Sequence, residues 1–211
     1  MFKIISSREE ITILKRAFDQ WGIFHIYENL DMIVKPVEKI MPSNNDMNNP
    51  RLQKNKENVD KVKLTKRSDF EVYFCSNKQQ KEFAIKFQPI SSGIMMGRVL
   101  NKKFLPNIIF AEMVVKYNFE LNYPYIMLDS NGTNLATYGR DIMGNSIVSY
   151  FKDIKENQIL IMLNQKKEVI GIGRSRFNDG LITQFDKVTV DNIQDIGTYY
   201  LKSENDFYLS K

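Results

Sequence analysis

Gln158-Ile159-Leu160-Ile161-Met162-Leu163, the polar connection Asn164 to Lys167, and Glu168-Val169-Ile170-Gly171-Ile172-Gly173-Arg174 give the strongest hairpin signal in this chain. Two runs rich in β-branched residues on either side of a short polar link read as antiparallel strands. Gly171 and Gly173 suit a strand that bends tightly at a barrel corner, and as a lone Gly-x-Gly they carry little weight as a phosphate loop. Downstream, Lys187-Val188-Thr189-Val190 reads as a final strand before Ile196 to Leu201. Upstream, Tyr123 to Leu128 is strand-like, Ser130-Asn131-Gly132 is a turn, and Leu135 to Tyr138 is a second short strand. Gly139-Arg140-Asp141-Ile142-Met143-Gly144 leaves room for one helical turn. Short strands with one or two single-turn helices in so little chain predict a small closed or half-closed barrel.

The first half has another rhythm. Ser7-Arg8-Glu9-Glu10 is a capping box ahead of Ile11, Leu14, Phe18 and Trp21 at helical spacing, which predicts a helix over Arg8 to Gln20 closed by Gly22. Ile23 to Tyr27 and Met32 to Val34 read as short strands, as does Phe70 to Cys75. Ser76 is the candidate cap of a helix over Asn77 to Phe87, with Phe83 and Phe87 on one face. A strand over Ile90 to Leu100 with Gly93 and Gly97 implies a bulge or a close backbone approach. A turn at Asn101 to Lys103 leads to a helix over Ile108 to Tyr117. Between Pro36 and Ser68 the pattern breaks, and this Asn- and Lys-rich stretch has too little apolar content to offset its ordering entropy, so a mobile insertion is expected. Seven Lys or Arg against Glu57 and Asp60 lie within Arg51 to Arg67, which makes this arm a candidate for nonspecific phosphate contact.

A composition of 43% hydrophobic and 12% aromatic residues belongs to a folded chain, and the net charge of +5 favours a polyanionic partner. Cys75 is the one cysteine, so no intramolecular disulfide forms; a buried strand thiol in a reducing compartment is the reading. Neither a cleavable leader nor a run of the roughly 18 apolar residues that span a bilayer is present, so a cytoplasmic protein with no membrane partner is expected.

The order Gly139-Arg140-Asp141-Ile142-Met143, Ile159 to Leu163, Gly171-Ile172-Gly173-Arg174 and Val188-Thr189-Val190 resembles the PUA domain, named after pseudouridine synthases and archaeosine transglycosylases. The ending Asp195-Ile196-Gly197-Thr198-Tyr199 is similar to that of one subgroup, the Nip-seven ribosome-biogenesis proteins of archaea and eukaryotes. Ser92-Gly93-Ile94-Met95-Met96-Gly97-Arg98, followed by Phe104 and a helix, looks like that family's pre-PUA domain. The resemblance implies an α+β chain: an α/β pre-PUA domain over 1–121, carrying the insertion at 36–68, and a small PUA β-barrel over 122–211. It further implies assembly of the large ribosomal subunit through RNA and protein contacts, without catalysis.

No P-loop, dinucleotide fingerprint, zinc site or nucleophile elbow is recognisable, and no cofactor or metal is expected. The sole histidine, His25, sits in what reads as an alternating strand and takes a structural or surface role. Asp129, Asp141 and Asp153 read as turn and capping residues. The candidate RNA contacts are Arg140, Arg174, Arg176, Lys187 and Gly139. Arg174 and Arg176 share a face about Ser175 and can track adjacent phosphates, with Lys187 extending one positive edge. Gly139 and Gly144 are read as flanking a one-turn helix whose free N–H groups accept a phosphate. The partners expected are RNA, of rRNA type and in single-stranded or loop regions, and pre-ribosomal or RNA-processing proteins. Two other classes fit the same residues: an RNA-presenting accessory subunit of a tRNA- or rRNA-modifying enzyme, and a protein-interaction scaffold that binds little RNA.

Overall fold

The capping box forms as its residues dictate. In the computed structural model, which describes residues 1–37 and 69–197, the Glu10 N–H donates to the Ser7 hydroxyl at 3.0 Å and the Ser7 N–H donates to the Glu10 carboxylate at 3.3 Å. Helix α1 runs Arg8–Gln20 and buries Leu14, Ala17 and Phe18. Gly22 follows at φ +67°, where a Cβ would fall 2.7 Å from the Asn122 carbonyl oxygen, so both the turn and the close approach require glycine.

Ile23 to Tyr27 is not the strand that its alternation predicts. A 3-10 helix spans Phe24–Asn29 instead. Ile23 and Ile26 are buried while Phe24 and His25 face solvent, so burial recurs every three residues, the 3-10 repeat, and competes with the period of two. His25 is accordingly an exposed helical residue.

Strands β1 (Asp31–Pro36), β2 (Phe70–Cys75), β3 (Ile94–Leu100) and β4 (Lys103–Pro106) form an antiparallel sheet in that order. Helix α2 (Lys78–Phe87) is capped by Asn77, whose side chain accepts the Gln80 N–H at 2.8 Å, and not by Ser76. Asn carries an acceptor two bonds beyond Cβ and competes well for this place. The expected irregularity near Gly93 and Gly97 is present as a register shift between Val72 and Tyr73. At Gly97 a Cβ would sit 2.4 Å from the Leu105 carbonyl oxygen, so the side-chain-free position lets β4 close on β3. Asn101 and Lys102, both at positive φ, make the two-residue turn between them. Helix α3 (Ile108–Tyr117) starts at Asn107, which accepts the Phe110 N–H at 3.1 Å.

The second sheet contains β5 (Tyr125–Leu128), β6 (Ile142–Met143), β7 (Ile147–Tyr150), β8 (Ile159–Leu163), β9 (Val169–Ser175) and β10 (Val188–Asp195), in the order β6-β10-β9-β8-β5-β7. All pairs are antiparallel except β5 with β8, and the sheet curls into a nearly closed barrel. The turn and strand expected over Ser130 to Tyr138 are one helix, α4 (Ser130–Thr137). Asp129 caps it by accepting the Gly132 N–H at 2.6 Å, and burial of Ala136 fixes its inner face. A polar, glycine-containing stretch that scores as a turn becomes helical once a cap and a packing surface are supplied. The helical turn expected between Gly139 and Gly144 is absent: β6 lies there, and a 3-10 turn begins at Gly144.

Strand β8 shows how the core is divided. Leu160 and Met162 point into the barrel with Ile126, Ile142, Ile170 and Val190. Ile161 and Leu163 point the other way, with Ile172, toward Phe18, Trp21, Phe110 and Val114 of the N-terminal half. One apolar cluster therefore contains residues from both sheets. The chain is α+β, with an N-terminal α/β region and a C-terminal barrel, as its sequence predicts.

Candidate nucleic-acid interface

The corner where α4 ends carries the candidate residues. Gly139 takes φ +73° and its N–H donates to the Ala136 carbonyl at 3.0 Å, while the Arg140 N–H donates to the Leu135 carbonyl at 3.0 Å. These are C-terminal bonds of a helix that ends here. The Gly144 N–H likewise donates to the Lys187 carbonyl at 2.9 Å. The anion cradle expected of Gly139 and Gly144 is thereby corrected, because the N–H groups it would use already have partners and Gly139 closes a helix instead of opening one.

Arg174 is exposed near the end of β9 and Arg176 is exposed just beyond it, with Ser175, the last residue of the strand, buried between them, so the strand does not continue through Arg176 as its sequence predicts. Their charges have different fates. Arg176 is held by Asp191 at 2.5 Å and by Asp141 at 3.2 Å, so two carboxylates flank one guanidinium. Arg174 lies opposite Asp191 on β10 and Ile159 on β8, and it is exposed. Lys187 precedes β10, beyond the Thr189 carbonyl that accepts the Arg176 N–H at 2.8 Å. Arg140, Arg174 and Lys187 are exposed and form no ion pair among the described residues. Three cations are therefore free for an anionic ligand, and the fourth is matched within the protein.

Asn192 organises this corner and was not legible beforehand. Its side-chain amide donates to the carbonyls of Ala136 at 2.9 Å and Arg140 at 3.2 Å, and its N–H donates to Asp141 at 3.0 Å. Residues some fifty positions apart in sequence meet here, and no local pattern announces such a contact. The exposed rings of Tyr138 and Phe185, 75% and 71% accessible, add apolar faces on which bases can stack. The arm from Arg51 to Arg67 lies outside the described residues, as do Thr198 and all that follows it.

Residues 124–205 match the family model described as the UPF0113 PUA domain. The chain thus carries a PUA domain in its C-terminal part. Among solved structures, a hypothetical protein of the hyperthermophilic archaeon Pyrococcus horikoshii is similar over 92% of this chain and 94% of its own, with a TM-score of 0.58 and 11% identity. A conserved PUA domain protein from Thermoplasma acidophilum is similar over 72% of this chain and 91% of its own, at a TM-score of 0.45 and 12% identity. The archaeal box H/ACA sRNP Nop10-Cbf5 complex aligns with 56% of this chain and 33% of its own, at a TM-score of 0.36 and 14% identity. No curated protein sequence matches the chain. Among the described residues no helix is long and apolar enough to cross a membrane.

Proposed function

We propose that this chain is a non-catalytic RNA-binding protein that acts in assembly of the large ribosomal subunit and contacts single-stranded or loop rRNA through its PUA domain. The observation that supports the reading is that Arg140, Arg174 and Lys187 of that domain are exposed and form no ion pair among the described residues, with the exposed rings Tyr138 and Phe185 each two positions from one of them. Phosphates bind to such cations by displacing counterions, and unstacked bases lie on aromatic faces. The nearby carboxylates Asp141 and Asp191 are committed to Arg176 and to the Asn192 N–H, a structural use that leaves the reading without a catalytic step. The assembly role rests on the resemblance to the Nip-seven proteins, and a cytoplasmic location goes with it.

The test is RNA affinity as a function of salt for the full chain and for a variant in which Arg174 and Lys187 are alanine. Each phosphate contact on a single strand contributes roughly 0.7 to the slope of log affinity against log salt. The double variant should therefore bind more weakly and flatten the slope by about 1.4. Background-level binding of the wild-type chain would favour an interaction scaffold. Crosslinking in cells, followed by sequencing of the bound RNA, then separates rRNA from the substrates of a modifying enzyme.

A further inference from the structure

The apolar row on the outer face of the barrel does not end in protein. Ile161 faces Ile172 across β8 and β9, and two residues further along Ile159 faces Arg174. Directly opposed residues of an antiparallel pair share a face. Arg174 thus lies on the face that packs against the N-terminal half, at the point where packing stops. A cleft of about 330 Å³ opens there, with Ile159 and Gln158 on one wall and Arg16, Gln20, Lys103 and Phe104 on the other.

Charge in this cleft is unbalanced. Lys102, at its lip, is paired with Glu9 at 2.8 Å. Arg16 and Lys103 are exposed and, like Arg174, form no ion pair among the described residues. Arg16 from α1 and Lys103 from the start of β4 line the opening, and Arg174 of the barrel stands across the strand pair from Ile159 of that lining, so cations from three elements lie in or next to it. The Gln158 side-chain oxygen already accepts the Lys155 N–H at 2.8 Å, which fixes the amide and leaves its NH₂ to donate. Gln20 supplies a second amide, and Phe104 and Ile159 supply apolar lining on the two walls. The volume is at the lower end of ligand pockets, roughly 300 to 1,000 Å³. It fits one unstacked nucleotide and no duplex.

Building on the RNA-binding reading, we infer that the RNA strand continues from the PUA edge past Arg174 into this cleft. One nucleotide is seated there, its phosphate between Arg16 and Lys103 and its base against Phe104 and Ile159, within reach of the glutamine amides. The N-terminal half is then part of the RNA site, and binding requires both halves of the chain.

A fluorescein-labelled twelve-residue oligouridylate, titrated into the full chain at several salt concentrations, tests this. R16A/K103A should weaken binding and flatten the salt slope by about 1.4, two contacts at roughly 0.7 each, and R16K/K103R should restore the slope. With 4-thiouridine placed at successive positions, at least one position should crosslink to a peptide containing Lys103–Phe104 or Gln158–Ile159. If wild type binds and R174A weakens it while R16A/K103A leaves slope and crosslinks unchanged, the cleft is overturned and the PUA edge stands as the site. If wild type binds no oligonucleotide at any salt concentration, the RNA reading fails, and the cleft with it.

Discussion

Glu10 is 2% exposed, yet its carboxyl titrates below the ordinary carboxylate value. Burial pushes it up, but the Lys3 ammonium and the Ser7 and Ser6 N–H groups bond the ionised form and together outweigh that cost. A carboxyl depressed in the folded state contributes stability above its unfolded value of 4.5, and that contribution is lost as pH falls through the folded value. Urea midpoints measured from pH 7 down to pH 3 should fall in acid. Glu10→Gln should lose about 1 to 2 kcal/mol at pH 7 and show a shallower acid decline; an identical decline would remove Glu10 as a source. Cys75 is the opposite case, since burial pushes its thiol up and the Asp31 charge adds to this. Native protein should resist a thiol reagent at pH 7.5 and react only on unfolding, as a chromogenic disulfide assay would read. Arg176 gives a third prediction. Two carboxylates hold it, so Asp191→Asn, which leaves only Asp141 on it, should loosen it and steepen the salt dependence of RNA affinity slightly, whereas Arg176→Ala alone should change that slope less than Arg174→Ala does.

Among elements, β9 and β10 pack closely because Gly171 has no side chain. A Cβ there would lie 2.4 Å from the Gln194 carbonyl oxygen, a backbone atom that cannot move without opening the sheet. Gly171→Ala should destabilise the fold by about 1 to 3 kcal/mol, measured by chemical denaturation, and loosen the face that carries Arg174. At Gly173 the obstacle is the Val190 side chain, which can rotate, so Gly173→Ala should be the milder change. The glycine pair read as a barrel corner thus has a physical cause in the approach of two strands, and neither residue needs positive φ. Helix α4 illustrates the opposite lesson. Its Ser-Asn-Gly-Thr-Asn start has weak helical propensity, and it forms because Asp129 caps it and Ala136 is buried under it.

The whole molecule is joined by burial. Tyr123, Tyr125, Ile161, Leu163 and Ile172 belong to the same cluster as Phe18, Trp21, Phe110 and Val114. Each large apolar side chain buried there contributes about 1.5 to 3 kcal/mol, so separating the halves uncovers many such groups at once. A fragment over 122–211 should bind a hydrophobic dye and unfold at lower denaturant than the full chain, while the full chain should unfold in one transition by fluorescence and circular dichroism. Two resolved transitions in the full chain, or a fragment as stable as the whole, would show that the shared cluster does not couple the halves.

The capping box at Ser7 and Glu10, the helix over Ile108 to Tyr117 and the β8–β9 hairpin were legible because each is set by neighbours within a few residues: a hydroxyl opposite an N–H, apolar spacing of one face, or a polar link between apolar runs. Those local rules also find Arg174 and Arg176 exposed about a buried Ser175, although β9 ends before Arg176. Ile23 to Tyr27 carries strand-forming residues and Ser130 to Tyr138 has weak helical propensity, and in both segments packing against distant residues selects the helical form. The charge state of the candidate site was likewise invisible in sequence. Asp141 and Asp191 neutralise Arg176 across 35 and 15 positions of chain, and Arg16 and Lys103 come beside the barrel only when α1 and β4 dock on it. Local spacing determines which side chains share a face, but only the folded chain brings charges from separate elements within Coulombic reach and so decides which cations remain free to bind.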